Sequence, residues 1–231
     1  KQLTDNDRLV LSIFAAVQQF RVKGARHRLR FLNEDLRKEI IRRGIDPGDA
    51  MPEITNGDIK RLALQKVGAA KSTARFFHDK SWVLQRAPAD KHFYVSDNPI
   101  TLHNVVPHPF GNVGLAVPGV EIYLPLSSEF SVLMLCPQWY EQIRATLTYV
   151  SKHERNLGPC PVDVSSLREL VAAIESGDPD VLPADNVTHQ NSLQVASASR
   201  FIMADSDDFD LAHKMIESDP RYREPPRLTI S

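Results

Sequence analysis

Cysteine is nearly absent from this 231-residue chain, Cys136 and Cys160 being the only two. Two cannot build a disulfide framework, and no second pair exists for a zinc knuckle, so both are expected as free thiols in a reducing, cytoplasmic compartment. Long apolar runs are also missing. Charge or proline breaks each within about a dozen residues, short of the roughly 20 that span a bilayer, so a soluble chain with no membrane partner is expected. Net charge is close to zero, at −1, and by itself says nothing of partners. The glycine motifs that cradle nucleotide phosphates do not occur, which argues against Rossmann and P-loop cofactors and leaves any cofactor unknown. There is no internal repeat. No initiator methionine precedes Lys1, as expected of a trimmed or processed piece of something longer.

What is there has ordinary globular composition, 42% hydrophobic and 25% charged, which excludes wholesale disorder. The length suits one domain over residues 1–231. Thr4 followed by Asp7 resembles a capping box, and Leu9, Val10, Ile13, Phe14, Val17 and Phe20 recur at helical spacing, predicting a helix to about Val22. Gly24 interrupts it. Phe31 to Arg43 predicts a second helix ending at Gly44, and Asp58 to about Phe76 a third. The character then changes: Ser81–Leu84, Phe93–Val95, Val120–Leu124 and Phe130–Leu135 are short, β-branched or aromatic, and separated by proline and glycine. Pro107 to Gly119 reads as a loop. Helical spacing returns over Pro137–Ser151, Val164–Ser176, Asn186–Ala204 and Phe209–Glu217. A helical part (1–80), a sheet part (81–136) and a second helical part (137–231) make an α+β fold, with helices flanking a small, mainly antiparallel sheet.

The polar residues that interrupt this framework are the functional candidates. Ser96-Asp97-Asn98-Pro99 ends the second strand. Asn98 before proline is pushed to extended geometry, and Asp97 can accept from amides two residues on, which accounts for the tetrapeptide as a turn. The same arrangement holds a carboxylate and an amide rigidly at a strand end, as active sites do. His92, His103 and His108 surround the strand and suit acid–base work near neutral pH, but their spacing matches no ligand signature and no metal site is assigned. Cys136, before proline at a strand end, reads as a buried thiol. Arg21 to Arg43 holds nine lysine or arginine residues against three acids, and Asp205 to Asp219 is acidic. Such a basic segment can bind nucleic acid through phosphates, face the acidic segment, or be a solvated helix surface.

Five stretches taken together carry a resemblance. Leu3 to Arg21 closing on "FAAVQQFR", Trp82 upstream of "FYVSDNP", "GVEIYLPLS" from Gly119, "NSLQVASASRFIMA" from Asn191 and "PRYREPPR" near the end resemble the domain of unknown function numbered forty-two thirty-eight. The likeness extends over nearly the whole chain. Such proteins are mostly bacterial and uncharacterised, so the resemblance implies no activity. It does imply a preceding segment with a His-x-Val-Pro motif, which is not found upstream of Leu3. If a site is shared between that segment and the strand ending at Asp97, this chain holds half of it. The resemblance also places Arg21, Ser96, Asp97, Asn98 and Asn191 on the family's recurrent polar positions, as site residues or as residues that fix turns.

Two functional expectations result. One is a hydrolase-like enzyme acting on a phosphate-bearing or nucleic-acid substrate, with Asp97 as acid–base group or metal ligand, Asn98 and His103 orienting substrate, and Arg21, with Ser96 and Asn191, binding it. The alternative is a non-catalytic binding or sensing module, in a defence or toxin system, in which Ser96 to Pro99 is a turn.

Overall fold

The amphipathic stretch after Thr4 folds as helix α1 (Asp5–Arg21) in a computed structural model that describes residues 3–48, 51–104, 106, 114–153 and 163–224. Asp7 N donates to Thr4 Oγ1 (3.2 Å) and Thr4 N donates to Asp7 Oδ2 (3.0 Å), the reciprocal capping box read from the sequence. The break after α1 falls at Val22, in extended geometry with ψ 155°, and α2 (Lys23–Arg42) already contains Gly24. The expectation that Gly24 interrupts the helix and that the next begins at Phe31 is therefore corrected. Gly44, with φ 75°, ends α2 in the left-handed conformation that glycine adopts without strain. The single helix expected over Asp58–Phe76 is two, α3 (Asn56–Gly68) and α4 (Ala70–His78), divided at Ala69.

The strands are β1 (Ser81–Arg86), β2 (Val95–Ser96), β3 (Thr101–Asn104), β4 (Val120–Pro125) and β5 (Phe130–Leu135). Helices α5 (Pro137–His153) and α6 (Val164–Ser176) follow, then β6 (Asp180–Val181), α7 (Ala184–Ser197), β7 (Ile202–Met203) and α8 (Asp210–Ser218). One sheet has the order β3-β4-β5-β1-β6, antiparallel except where β6 joins β1, and β2 pairs with β7 in a separate two-stranded sheet. The fold is α+β. His108 and Cys160 lie outside the described residues.

Period-two alternation gives the larger sheet two apolar faces, and helices cover both. Ile122, Leu124, Val132 and Met134 pack against Ala15 and Ala16 of α1 and Ala74 and Phe77 of α4. The alternate residues Val83, Tyr123, Leu133 and Leu135 face Trp139 of α5 and Leu170 and Ala173 of α6. Arg8 fastens α1 to the chain end of α4. Its Nη2 donates to His78 O (2.9 Å) and Lys80 O (2.7 Å), and its guanidinium lies 5.7 Å from the centre of the Trp82 ring. The His78 carbonyl is one a helix C-terminus leaves without an intrahelical donor, so a cation there satisfies both hydrogen bonding and the helix dipole. Among the described residues, no helix is long and apolar enough to cross a membrane.

Phe77 is fully buried where α1, α4 and the sheet meet. Phe77→Ala is expected to destabilise the protein by about 3–5 kcal/mol, the cost of losing an aromatic side chain and leaving a cavity, read as a lowered midpoint in urea unfolding.

Candidate functional site: the Ser96–Pro99 segment and two cavities

Along residues 92–99, side chains of α7 supply the hydrogen bonds that a neighbouring strand would. Asn191 Oδ1 accepts from Tyr94 N (2.8 Å) while its Nδ2 donates to His92 O (2.8 Å). Gln194 repeats the device: Oε1 accepts from Ser96 N (3.0 Å) and Ser96 Oγ (2.8 Å), and Nε2 donates to Pro99 O (2.9 Å). Asn98 Nδ2 donates to Ser197 O (3.2 Å), and Ser197 Oγ to Asn98 O (3.2 Å). A carboxamide carries the same donor and acceptor as a peptide group, and positions 191, 194 and 197 share one helical face.

Asp97 is bound into the same frame. Its Oδ1 accepts from Ser199 N (2.8 Å) and Arg200 N (3.3 Å) just beyond α7, and Asp97 N donates to Phe201 O (3.0 Å). The structure thus brings Ser96, Asp97, Asn98 and Asn191 together. Arg21 is exposed in the last turn of α1 and lines neither cavity described below. His103 belongs to a different cluster.

A cavity of about 520 Å³ lies against Asn98, walled by Phe20 of α1, Ala25 and Leu29 of α2, and Leu193 and Ala196 of α7. Three residues of its lining each carry a buried polar atom with no hydrogen-bond partner among the described residues: Gln19 Oε1, Asn98 Oδ1 and Thr101 Oγ1. Asn98 and Thr101 are each only 3% exposed, so bulk water does not satisfy them, and such orphans are uncommon in folded proteins. Arg28 of α2 also lines the cavity. Burial pulls its guanidinium below the ordinary value. Exposed Lys66 of α3 adds a second cation. Gly24 sets how closely α2 approaches. A Cβ there would lie 3.2 Å from Asn98 Cγ and 3.2 Å from Ser199 Oγ, tighter than ordinary contact.

His103 sits on β3 directly opposite Glu121 of β4. Its Nδ1 lies 3.3 Å from Glu121 Oε2, which accepts at 2.6 Å from Tyr123 OH. Burial, with Glu121 beside it, pushes the Tyr123 phenol well above its ordinary range. The His189 ring of α7 stands edge-on to His103, 4.9 Å between centroids. Burial and then His103 push the His189 imidazole down, and Glu121 pulls it the other way. Glu121, Tyr123 and His189 line a second cavity of about 320 Å³, together with Glu169 and Asp180. Burial raises the Asp180 carboxyl and Glu169 raises it further. Among the described residues no three metal-ligating side chains meet in a geometry that holds a metal.

The basic segment is largely occupied with its own surroundings. Arg42 and Arg43 pair with Glu39 (2.8 Å each), Lys38 with Asp35 (3.7 Å), Arg30 with Asn56, and Arg37 with Met51 O. Reading the sequence missed Gln19, Arg28 and Thr101 in one cavity, and Glu121 and His189 at the other. One signal for α7 was available. Gln190, Asn191, Gln194 and Ser197 recur at helical spacing beside Val187 and Val195, so a single stripe carries both amides and branched apolar residues.

A family model described as "Protein of unknown function (DUF4238)" matches residues 1–208. No curated protein and no solved structure matches the chain.

Asn191→Leu strands Tyr94 N and His92 O, each roughly 1–3 kcal/mol to leave unpaired, so it is expected to destabilise by about 2 kcal/mol or more in urea unfolding. Asp97→Ala loses a local cap and is expected to cost only about 0.5–2 kcal/mol. Burial also sets a pH dependence. His27 is held below the ordinary value by burial first, then by Lys23, Arg30 and Arg26, with Asp97 opposing, and His189 as described. Because the unfolded chain takes up these protons first, stability is full above about pH 6.5 and declines as pH falls towards the folded-state values. His189→Gln is expected to reduce the drop in melting temperature between about pH 7.5 and about pH 5.

Proposed function

Since the chain belongs to the DUF4238 family of proteins of unknown function, we propose its function from the site alone: it is a binding module that holds a small molecule in the cavity between α1, α2, α7 and Asn98. The observation that carries this reading is the set of three unpartnered buried polar atoms, Gln19 Oε1, Asn98 Oδ1 and Thr101 Oγ1, in one largely apolar cavity. An apolar pocket with a few convergent polar groups is the usual form of a small-molecule site, and its volume of about 520 Å³ lies within the ordinary range. In this reading Ser96, Asp97 and Asn191 hold the segment in place, and of these four polar residues only Asn98 lines the cavity. Cys136, buried at the end of β5, stays a thiol in a cytoplasmic setting.

Hydrolysis of a phosphate-bearing substrate is the second reading, favoured by the acid–base groups Glu121 and His189 lining one cavity, with His103 against both. Electrostatics weigh against it. The cations suited to a phosphate, Arg28 and Lys66, line the first cavity, whereas the second gathers Glu121, Glu169 and Asp180, which repel an anion. The groups a phosphoester hydrolase needs in one place lie in two.

The binding reading is tested by thermal melts with a panel of small organic molecules. A ligand at about 100 times its Kd stabilises by about 2.7 kcal/mol, and about 2–4 °C per kcal/mol is expected for a chain of this size. Ala196→Trp, which fills the cavity from α7, is expected to abolish the shift. A panel that moves neither protein removes the reading. For the second reading, hydrolysis of a phosphoester panel is expected to be negligible and unchanged by Glu121→Gln, and a measurable rate lost in that variant would restore it.

A further inference from the structure

The first cavity contains a charge that has no counter-charge among the described residues. Arg28 lines it beside Phe20, Leu29, Leu32 and Leu193, and no ion pair of Arg28 occurs among the described residues. Further along the basic segment, Arg42 and Arg43 both close on Glu39 at 2.8 Å. A guanidinium partly withdrawn from water with nothing opposite it is costly, and a ligand that brings the anion removes the cost. Lys66, exposed on α3, adds positive charge to the same lining.

The orphaned atoms narrow the ligand further. Gln19 Oε1 and Asn98 Oδ1 are carbonyl oxygens and accept only, so they call for N–H or O–H donors. The Thr101 hydroxyl serves either way. The Asn98 amide is not free to turn over, because its Nδ2 is already donating to Ser197 O at 3.2 Å. Apart from Ser197, whose hydroxyl is engaged with the Asn98 and Gln194 carbonyls, the remaining side chains of the wall are aliphatic and aromatic, which suits an apolar body.

Resting on the binding reading above, we propose that the ligand is an apolar-bodied carboxylic acid that also carries an N–H or O–H donor, its carboxylate paired with Arg28 and its donor directed at Asn98 and Gln19. N-acylated amino acids and hydroxy acids with a short hydrocarbon body have this combination. A simple alcohol lacks the anion, an amine carries the wrong charge, and a free fatty acid at neutral pH has no donor.

The test is calorimetric titration of the full chain with N-octanoylglycine, its uncharged primary amide, and octanoate. N-octanoylglycine is expected to bind at least tenfold more tightly than the other two. Arg28→Met is expected to remove the advantage over the amide while leaving amide binding in place, and Arg28→Lys to restore part of it. Circular dichroism establishes that each variant is folded. If the acid and amide bind equally and Ala196→Trp abolishes both, the cavity is a ligand site but the proposed class is wrong. If none of the three probes binds, both the class and the underlying reading of the cavity are overturned.

Discussion

Buried main-chain amides and carbonyls must be paired, and from His92 to Pro99 that requirement is met by carboxamide side chains on α7. Asn191 and Gln194 each bridge a donor and an acceptor of the segment, as a strand edge would. A hydrophobic helix in the same position would bury the segment and leave its peptide groups unpaired, at roughly 1–3 kcal/mol for each. The geometry of the Ser96–Pro99 turn, the presentation of Asn98 to the cavity and the placing of β2 beside β7 all depend on these two amides. Asp97 is tied to the same helix end, its Oδ1 accepting from the amides that follow α7.

Helix α7 stands between two chemically opposite places. Leu193, Ala196 and Ser197 line a cavity that also holds Arg28 and Lys66, while Asn186, His189 and Gln190 line one that gathers carboxylates. In the second, His103, Glu121 and Tyr123 hold one another through a shared carboxylate oxygen. That arrangement fixes tautomer and orientation, and its charge suits a cation better than a phosphate.

Much of the architecture was legible because it rests on periodicity and local caps. The Thr4–Asp7 capping box, α6 stopping at Gly177 with φ 76°, and strands β4 and β5 follow the sequence closely. The misreadings have physical causes. Gly24 was read as a helix breaker, yet it is the residue without a side chain that lets α2 lie against Asn98 and Ser199. Phe93 and Tyr94 have the composition of a strand, but their neighbour is a helix, so β2 is only Val95–Ser96. The site was legible in part. Ser96, Asp97 and Asn98 stood out as polar residues closing a strand, the family resemblance marked Asn191 with them, and the structure does gather the four. Arg28 did not, because nothing local distinguishes one arginine in a basic helix from the next. Only the tertiary fold shows that this one faces carbon.

The bridges made by Asn191 and Gln194 reach back across separations of 95 to 99 residues. On a ribosome, Tyr94 and Ser96 emerge well before the helix that completes them. Until α7 is synthesised, the peptide groups of this stretch have only solvent or a chaperone to bind, and the aromatic pair Phe93 and Tyr94 is without its cover. The nascent chain therefore cannot finish its middle before its final third exists, and assembly is delayed by topology even though most of its helices can form locally.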